Sequence, residues 1–396
     1  MSEITRGDFL KLMGAAVGAA VLNRLGLAKA EGQTNKPETA EQLLSRKEHF
    51  KPFNRGNAEW QYVEFQYSNT ENERIGITTS ISELTNPYTS KKTQQLLVMR
   101  HNLNTGETTK NVYDGTRSFD EATSKYIFTD SQNKQLAEFS YDESGDRYLL
   151  KVSTNEFNSQ EIDSEGLVLR PQGNLIPVSK DGNFTVANFE GGKIITNYFA
   201  DHIKVEKQNG DIVGYGRRDS ENLELEGLPP PSRLDIDHTW VHASGLRADG
   251  KRFFITAWGS KTGGQFKFAD TLIVDPTTGN QESFVQFNED DPGFNVNFVS
   301  SLGEQETPAG QNKKPEYQMA HGGKVIATAG NETLFELEVD GNPGQIIDSK
   351  GFLSMVEAHG KVVTGSILGS AISSGDSAIW ETTDEKYSTF LPIIQK

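Results

Sequence analysis

The chain contains no cysteine. Disulfide bonds, cysteine-based metal sites and a thiol nucleophile are therefore excluded. The absence does not argue against export from the cytoplasm, because an oxidising compartment permits disulfides without requiring them.

Basic residues are scarce relative to acidic ones, with 39 Lys and Arg against 55 Asp and Glu, for a formal net charge of −16. A negative field repels nucleic acids and anionic membrane surfaces. We therefore expect no nucleic-acid partner. The simplest role of the acidic surface is to keep an extended β protein soluble.

Several catalytic motifs are also missing. The Gly-x-Ser-x-Gly elbow of hydrolases does not occur, and the similar stretch 365–370 has the wrong spacing. The glycines at 173, 182 and 191–192 lie in expected turns and form no phosphate-binding loop. Although many acids are present, no carboxylate pair stands out from ordinary surface charge. We predict neither a metal nor any other cofactor.

Helical periodicity is absent from every long stretch, whereas short alternating segments follow one another from Glu59 onward. Asn209-Gly210 and Asp249-Gly250 are strong hairpin signals between such segments. The pattern predicts an all-β fold of two consecutive up-and-down antiparallel barrels. A β-propeller would show a recurrent signature about every forty residues, and none is found.

The first thirty residues predict an export signal. Arg6 precedes an apolar run that is too short for a stable transmembrane helix, and Ala28-Lys29-Ala30 is a small-x-small cleavage site. The stretch 5–11 resembles a twin-arginine signal, with Gly7 where the second arginine should stand. We expect cleavage before Glu31 and a periplasmic or extracellular protein; an uncleaved helical anchor is the alternative.

The remaining chain divides into a linker and two domains. Residues 31–58 are polar, carry one potential helix at 39–50, and are interpreted as a linker. The three prolines at 229–231 cannot lie inside a β-ladder, so the division is expected between Leu228 and Leu246. We assign 59–243 to the first barrel domain and 244–396 to the second.

The stretch with the highest density of side chains suited to catalysis or binding is 233–244, which combines acids, imidazoles and an indole. Its alternation predicts a strand with His238, Trp240 and His242 on one face. On a strand the two histidines stand about 13 Å apart, at about 3.3 Å per residue, which is too far for one metal ion.

Three short segments of the sequence, taken together, resemble the lipocalin-like family of hydroxyneurosporene synthases (carotenoid hydratases) and AttH-type secreted proteins. They are Glu59-Trp60-Gln61-Tyr62, the tyrosine-bearing stretch 198–205 before Asn209-Gly210, and Asp237-His238-Thr239-Trp240. Gln61 and Val241 depart from the family pattern. The resemblance implies two packed lipocalin-like barrels, an apolar ligand cavity, and hydratase or cyclase activity on isoprenoid-like substrates.

The candidate site residues follow from the residue types and their placement. We expect Asp237, His238 and Asp201 to be catalytic, since a carboxyl group in an apolar cavity can protonate a double bond. A hydrophobic small molecule would be bound by aromatic and imidazole side chains, namely Trp60, Tyr62, Tyr198, Trp240, His242 and Trp258. Three alternatives remain open: a polar packing knot between the domains, a non-enzymatic carrier of an apolar ligand, and a propeller-like secreted binding protein.

Overall fold

The protein is described from a computed structural model. The described residues are 46, 51–53, 56–177, 184–189, 191–227, 234–247, 249–259, 264–265, 268–286, 294–304, 318–329, 331–340, 345–349, 353–358, 361–365 and 367–379. The predicted export segment at 1–30 and, apart from Arg46, the predicted helix at 39–50 lie outside them.

The first half is a closed antiparallel barrel of ten strands. Its strands are β1 (Ala58–Ser68), β2 (Arg74–Thr85), β3 (Lys92–Asn102), β4 (Thr108–Asp120), β5 (Lys125–Asp130), β6 (Gln135–Asp142), β7 (Arg147–Val152), β8 (Leu167–Pro177), β10 (Gly192–Lys207) and β11 (Ile212–Glu226). The short strand β9 (Phe184–Phe189) pairs with the start of β10, and β11 closes the barrel against β1.

The barrel is filled by the alternating apolar side chains that its strands turn inward. On β1 these are Val63, Phe65 and Tyr67, which belong to one buried cluster with Ile77 and Phe128. The intervening residues of β1 point outward, and Glu64 among them contacts the second half of the chain. The period of two therefore fixes which side of the wall each polar residue occupies.

The wall is least continuous between β7 and β8. These strands pair only at Tyr148 and Leu169, and between them the chain makes an excursion that includes the helix α1 (Gln160–Glu165). Gly166 ends this helix in the left-handed conformation, at φ 64°, which glycine adopts without strain.

The second half forms two antiparallel sheets. The seven-stranded sheet contains β12 (Leu234–Arg247), β13 (Arg252–Gly259), β15 (Phe268–Val274), β16 (Gln281–Gln286), β20 (Gln345–Ser349), β21 (Leu353–Ala358) and β23 (Ile367–Ile379). The five-stranded sheet contains β14 (Gly264–Gln265), β17 (Phe294–Glu304), β18 (Gln318–Ala329), β19 (Glu332–Asp340) and β22 (Lys361–Gly365). Strand β23 contacts β18 and β22, so the sheets meet there.

The sequence predictions of the all-β class and of antiparallel barrel architecture are confirmed. Both hairpins flagged by Asn-Gly and Asp-Gly are present, as β10–β11 and β12–β13. The predicted domain division after Ala243 falls within β12, whereas strand pairing passes from the barrel to the second half between Glu226 and Leu234. In the described part of the chain, no helix is long and apolar enough to cross a membrane.

Candidate functional site

The barrel and the seven-stranded sheet meet along a buried polar surface, here called the junction. The barrel contributes the outward face of β1, β10 and β11, and the sheet contributes β12, β13 and β15. Apolar contacts secure one part of it, where the Phe254 ring packs edge-on against Tyr215 at a centroid distance of 5.4 Å. The polar part contains the histidine and carboxylate side chains that can transfer protons.

Two carboxylate–imidazole pairs cross the junction. Glu64 Oε1 of the barrel lies 2.9 Å from His242 Nδ1 of the sheet. In the opposite sense, His202 Nε2 of the barrel lies 2.6 Å from Asp270 Oδ2 of the sheet. The two imidazole rings are stacked, with centroids 5.7 Å apart and planes 30° apart. All four side chains are 2% exposed or less, so both pairs are removed from water.

Each imidazole of these pairs has one ring nitrogen without a hydrogen-bond partner among the described residues, Nε2 of His242 and Nδ1 of His202. A neutral imidazole donates from one nitrogen and accepts at the other. For His242, whose Nδ1 donates to Glu64, the lone pair of the neutral ring therefore lies on the unpartnered Nε2. In its neutral form His242 is thus a base whose accepting nitrogen is unpartnered within the described residues.

The register of the sheet places further polar side chains beside His242. It pairs with Thr256 of β13, which pairs with Asp270 of β15, so the three side chains lie in one row. Thr256 Oγ1, Asp270 Oδ1 and Ser244 Oγ are buried and make no hydrogen bond within the described residues. Such groups are normally satisfied by protein, water or ligand, so their concentration here marks a polar site.

Strand β11 carries two buried acids onto the same outward face. Asp219 pairs in register with Tyr62, and Glu221 with Trp60. Burial raises the pKa of Asp219 to about 7, against the opposing effect of Arg217, whose Nη2 lies 3.2 Å from Asp219 Oδ2. Burial, reinforced by the charge of Asp219, raises the pKa of Glu221 well above its ordinary value. Burial therefore favours the protonated form of Glu221, and near neutral pH Asp219 is poised between its two states.

His242 is shifted in the opposite direction. Burial, with the positive charge of Arg217 and the proximity of His202, holds its pKa well below the ordinary value, although Asp270 counteracts this. His242 is therefore neutral at pH 7 and available as a proton acceptor. The junction thus holds proton donors and proton acceptors at the same pH, separated by their environments.

All six residues expected to bind ligand lie on strands that form this junction, and the side chains of four of them are described. Tyr62 is buried and donates to Glu64 Oε2 at 2.8 Å, and Glu64 in turn holds His242. Trp60 of β1 is half-buried and pairs in register with Glu221 of β11. Trp240 is half-buried two residues before His242 on β12. The segments singled out in the sequence thus include residues of β1 and β12, two of the six junction strands.

Asp201 is placed elsewhere. It faces the barrel interior, where Arg46 binds it from Nε at 2.9 Å and from Nη2 at 3.2 Å. The Tyr148 hydroxyl also donates to it. Its neighbour His202 lies on the outer face of the strand and reaches Asp270 of the second half. Asp201 is therefore held by a cation and a phenol inside the barrel, on the other side of the wall from His242.

Asp237, His238, Tyr198 and Trp258 lie on described strands, but their side chains are outside the described residues. Trp258 pairs in register with Trp240. Around Asp237 and His238 the pairing of β12 with β23 shifts register between Asp235 and Thr239. The regular alternation expected through this stretch is interrupted there.

Sequence reasoning did not single out the junction residues Glu64, His202, Arg217, Asp219, Glu221 and Asp270. The available signal was the alternation of Arg217, Asp219 and Glu221 in β11, which resembles an exposed charged face. In the structure every residue from Gly216 to Leu223 is buried. The conclusion that no carboxylate pair differs from surface charge is therefore wrong for Asp219 and Glu221, because the second half of the chain covers this face of the barrel.

Within the part of the chain that the structure describes, no group of three His, Asp or Glu side chains is arranged to hold a metal ion. The pairing of His242 with Glu64, together with its unpartnered nitrogen, fits proton transfer.

Comparison with known proteins shows likeness at the level of structure. No protein-family model matches the chain, and no curated protein is detectably similar to it in sequence. A solved structure described as a putative AttH from Nitrosomonas europaea is similar, with a TM-score of 0.48 and 15% identity, over 87% of this chain and 98% of that one.

Two further solved structures extend the likeness. Kievitone hydratase from Nectria haematococca matches with a TM-score of 0.38 and 13% identity, over 90% of this chain and 97% of that one. CghA with Sch210972 matches with a TM-score of 0.39 and 7% identity, over 82% of this chain and 89% of that one. The resemblance to AttH-type and hydratase proteins inferred from the sequence is confirmed in these matches. At such identities the likeness concerns the fold.

Proposed function

We propose that the protein catalyses cofactor-independent proton transfer on a small hydrophobic molecule at the junction, as a hydratase or cyclase. One observation carries this proposal. Two buried carboxylate–imidazole pairs with free ring nitrogens lie beside two carboxyl groups whose pKa values are raised. An acid and a base that are both in their working forms near pH 7 are the requirement for general acid–base catalysis.

For hydration of a double bond, the roles divide between the two sets of groups. Asp219 or Glu221 delivers its proton to one alkene carbon, which leaves a cation at the other. The oxygen of a water molecule forms a bond to that cation, and its surplus proton passes to the free nitrogen of His242. Return of that proton to the carboxylate restores the site, so the net change is addition of one water. Cyclisation needs the same acid, with an internal double bond attacking the cation in place of water; the cyclised cation then loses a proton to the free nitrogen of His242, and the net change is an isomerisation.

The aromatic residues of the junction suit such a cation. Trp60 lies on the strand next to Glu221, and Tyr62 on the strand next to Asp219. Aromatic faces attract positive charge, and the attraction strengthens when water is excluded. Glu64 and Asp270 would act as positioning residues, because each touches a histidine. The isoprenoid-like class of substrate is proposed from the sequence resemblance.

The test is hydration in water enriched in oxygen-18. The purified protein is incubated with a hydrophobic extract, and products that gain the heavy oxygen are identified by mass spectrometry. We expect Asp219→Asn and His242→Asn each to lower the rate about a hundredfold or more. The matched control is His101→Asn, a buried histidine of β3, which is not a junction strand, bound to Thr108.

Two outcomes would contradict catalysis at the junction. If the junction variants lose thermal stability but keep their rate per folded molecule, the cluster is a packing knot. If no extract component gains heavy oxygen or is cyclised, yet a component co-purifies unaltered in a native mass spectrum, the protein is a carrier. The carrier is the second candidate, because the same unpartnered polar atoms would bind a ligand without changing it.

A further inference from the structure

Inside the barrel, the chain forms a buried polar site that the proposed reaction does not use. Asp201 of β10 is fully buried there, and the Tyr148 hydroxyl donates a hydrogen bond to its Oδ2. The carbonyl oxygen of Gly173 on β8 lies close to Asp201, because one guanidinium group contacts both. These three residues, here called the inner site, lie on the side of the barrel wall opposite His202 and the junction.

A bulge in β8 shapes the inner site. Between two successive pairs of β8 with β10, residues 173–175 of β8 face Asp201 alone. Gly173 has φ 81°, which glycine adopts without strain, and a Cβ atom there would lie 2.7 Å from Leu272 Cδ2 of β15. Bulges are frequent next to functional sites, where they redirect single groups. Here the redirected group is the Gly173 carbonyl, which accepts a hydrogen bond from a side chain.

The inner site matches the shape of a guanidinium group, which Arg46 supplies. Arg46 Nε lies 2.9 Å from Asp201 Oδ2, and Nη2 lies 3.2 Å from Oδ1. Nη2 also donates to the Gly173 carbonyl at 2.7 Å. Two neighbouring nitrogens thus meet the two carboxylate oxygens side by side, a planar arrangement that an ammonium group does not reproduce. The geometry therefore selects a guanidinium over other cations.

The group that fills the inner site comes from outside the barrel strands. Arg46 precedes β1 and is separated from Asp201 by 155 residues of sequence. A second residue of the same segment, Phe53, stacks on Phe199 of β10 at a centroid distance of 5.9 Å. Phe199 stands two residues before Asp201 and shares its face of the strand. The Arg46 side chain is 21% exposed whereas Asp201 is not exposed, so solvent reaches the site along the arginine.

We propose that the inner site binds an alkylguanidinium molecule, with Arg46 as a tethered ligand that the free molecule can displace. A tethered group competes at a high effective concentration, so the free ligand binds tightly only when Arg46 is withdrawn. Binding is therefore coupled to the release of Arg46. The inner site is separate from the junction and independent of the activity proposed there.

The test supplies the guanidinium from solution. Arg46→Ala in the full chain removes the tethered ligand, and ethylguanidinium reproduces its side chain beyond Cβ. We expect ethylguanidinium to raise the Tm of this variant saturably, with one site by calorimetry. Ethylammonium, which has the same charge and hydrocarbon but no planar fork, should have little effect.

The unsubstituted chain should bind ethylguanidinium about tenfold more weakly than the variant does, because Arg46 competes. At saturation the ligand should also speed hydrogen exchange in the peptide that spans residues 46–53, since Arg46 is released.

Two further variants are controls. Arg100→Ala removes an arginine of similar exposure, 29%, which pairs with Glu161 at 3.3 Å outside the inner site. Ethylguanidinium should not raise its Tm. Arg46→Ala combined with Asp201→Asn removes the carboxylate of the inner site and should abolish the response to ethylguanidinium.

The proposal is overturned if ethylguanidinium gives Arg46→Ala no saturable rise in Tm, if ethylammonium is equally effective, or if the double variant responds as the single one does. Equal affinity for Arg46→Ala and the unsubstituted chain would also overturn it, because the ligand would then not compete with Arg46. If Arg46→Ala does not fold alone, ethylguanidinium should restore its folding, and failure to do so counts equally against the proposal.

Discussion

Asp219 is a carboxyl group that a β-strand holds out of water, and its titration reports on that environment. Its pKa rises from 3.8 to about 7 in the folded protein because of burial. The folded state therefore binds this proton more tightly than the unfolded state between about pH 4 and pH 7. By linkage, its effect is to lower stability as pH rises through that window.

Asp219→Asn removes this titration. We expect the variant and the original protein to differ little in this respect below pH 4, and the variant to gain relative stability by a few kcal/mol by pH 8. Urea denaturation at a series of pH values measures the difference. A constant difference from pH 4 to pH 8 would show that Asp219 is not shifted.

The candidate site was predictable in part at this scale. The sequence drew attention to His242, Tyr62 and Trp60 through a dense polar strand and a familiar opening motif. It favoured Asp201 over His202, although the two are adjacent, since nothing local distinguishes the inner from the outer face of a barrel wall. Glu64 and Asp270 meet their histidines over separations of 178 and 68 residues, so their roles depend on the packing of the two halves.

For strand β11, too, the sequence predicts the strand and its turn but not which of its faces is buried. Its hairpin with β10 was predictable from Asn209-Gly210, because turn chemistry is local. Its charged central part was not recognisable as buried, because Arg217, Asp219 and Glu221 alternate as on a solvent-exposed face. The barrel itself followed from the strand and turn pattern, whereas which faces of it are covered did not.

The closure of the barrel by β11 against β1 depends on a close approach at Gly216. A Cβ atom there would lie 2.3 Å from the Glu64 carbonyl oxygen and 2.5 Å from Phe65 Cβ. We expect Gly216→Ala to cost about 3 kcal/mol or more, because backbone must move. Gly210→Ala in the adjacent turn, at φ 89° with open space around it, should cost about 1–2 kcal/mol. Chemical denaturation gives both values; a milder effect at Gly216 would contradict the tight closure.

For the whole molecule, we propose export with cleavage before Glu31, on the grounds of the apolar run and Ala28-Lys29-Ala30. Intact-mass spectrometry of protein recovered outside the cytoplasm of an expressing bacterium should give a chain that begins at Glu31. Ala30→Tyr, which blocks a small-residue cleavage site, should retain the segment. Recovered protein that carries Met1 without this substitution would refute the proposal.

Arg46 has a practical consequence for anyone who shortens this chain for laboratory production. The sequence invites a start at β1, since 31–58 resembles a dispensable leader. Yet Arg46 is the cation that neutralises the fully buried Asp201, and it also donates to the Gly173 carbonyl at 2.7 Å. Removal of one partner of a buried ion pair costs about 3–5 kcal/mol. A soluble and well-behaved product should therefore begin ahead of Arg46, and a purification tag belongs before that residue or at the other terminus.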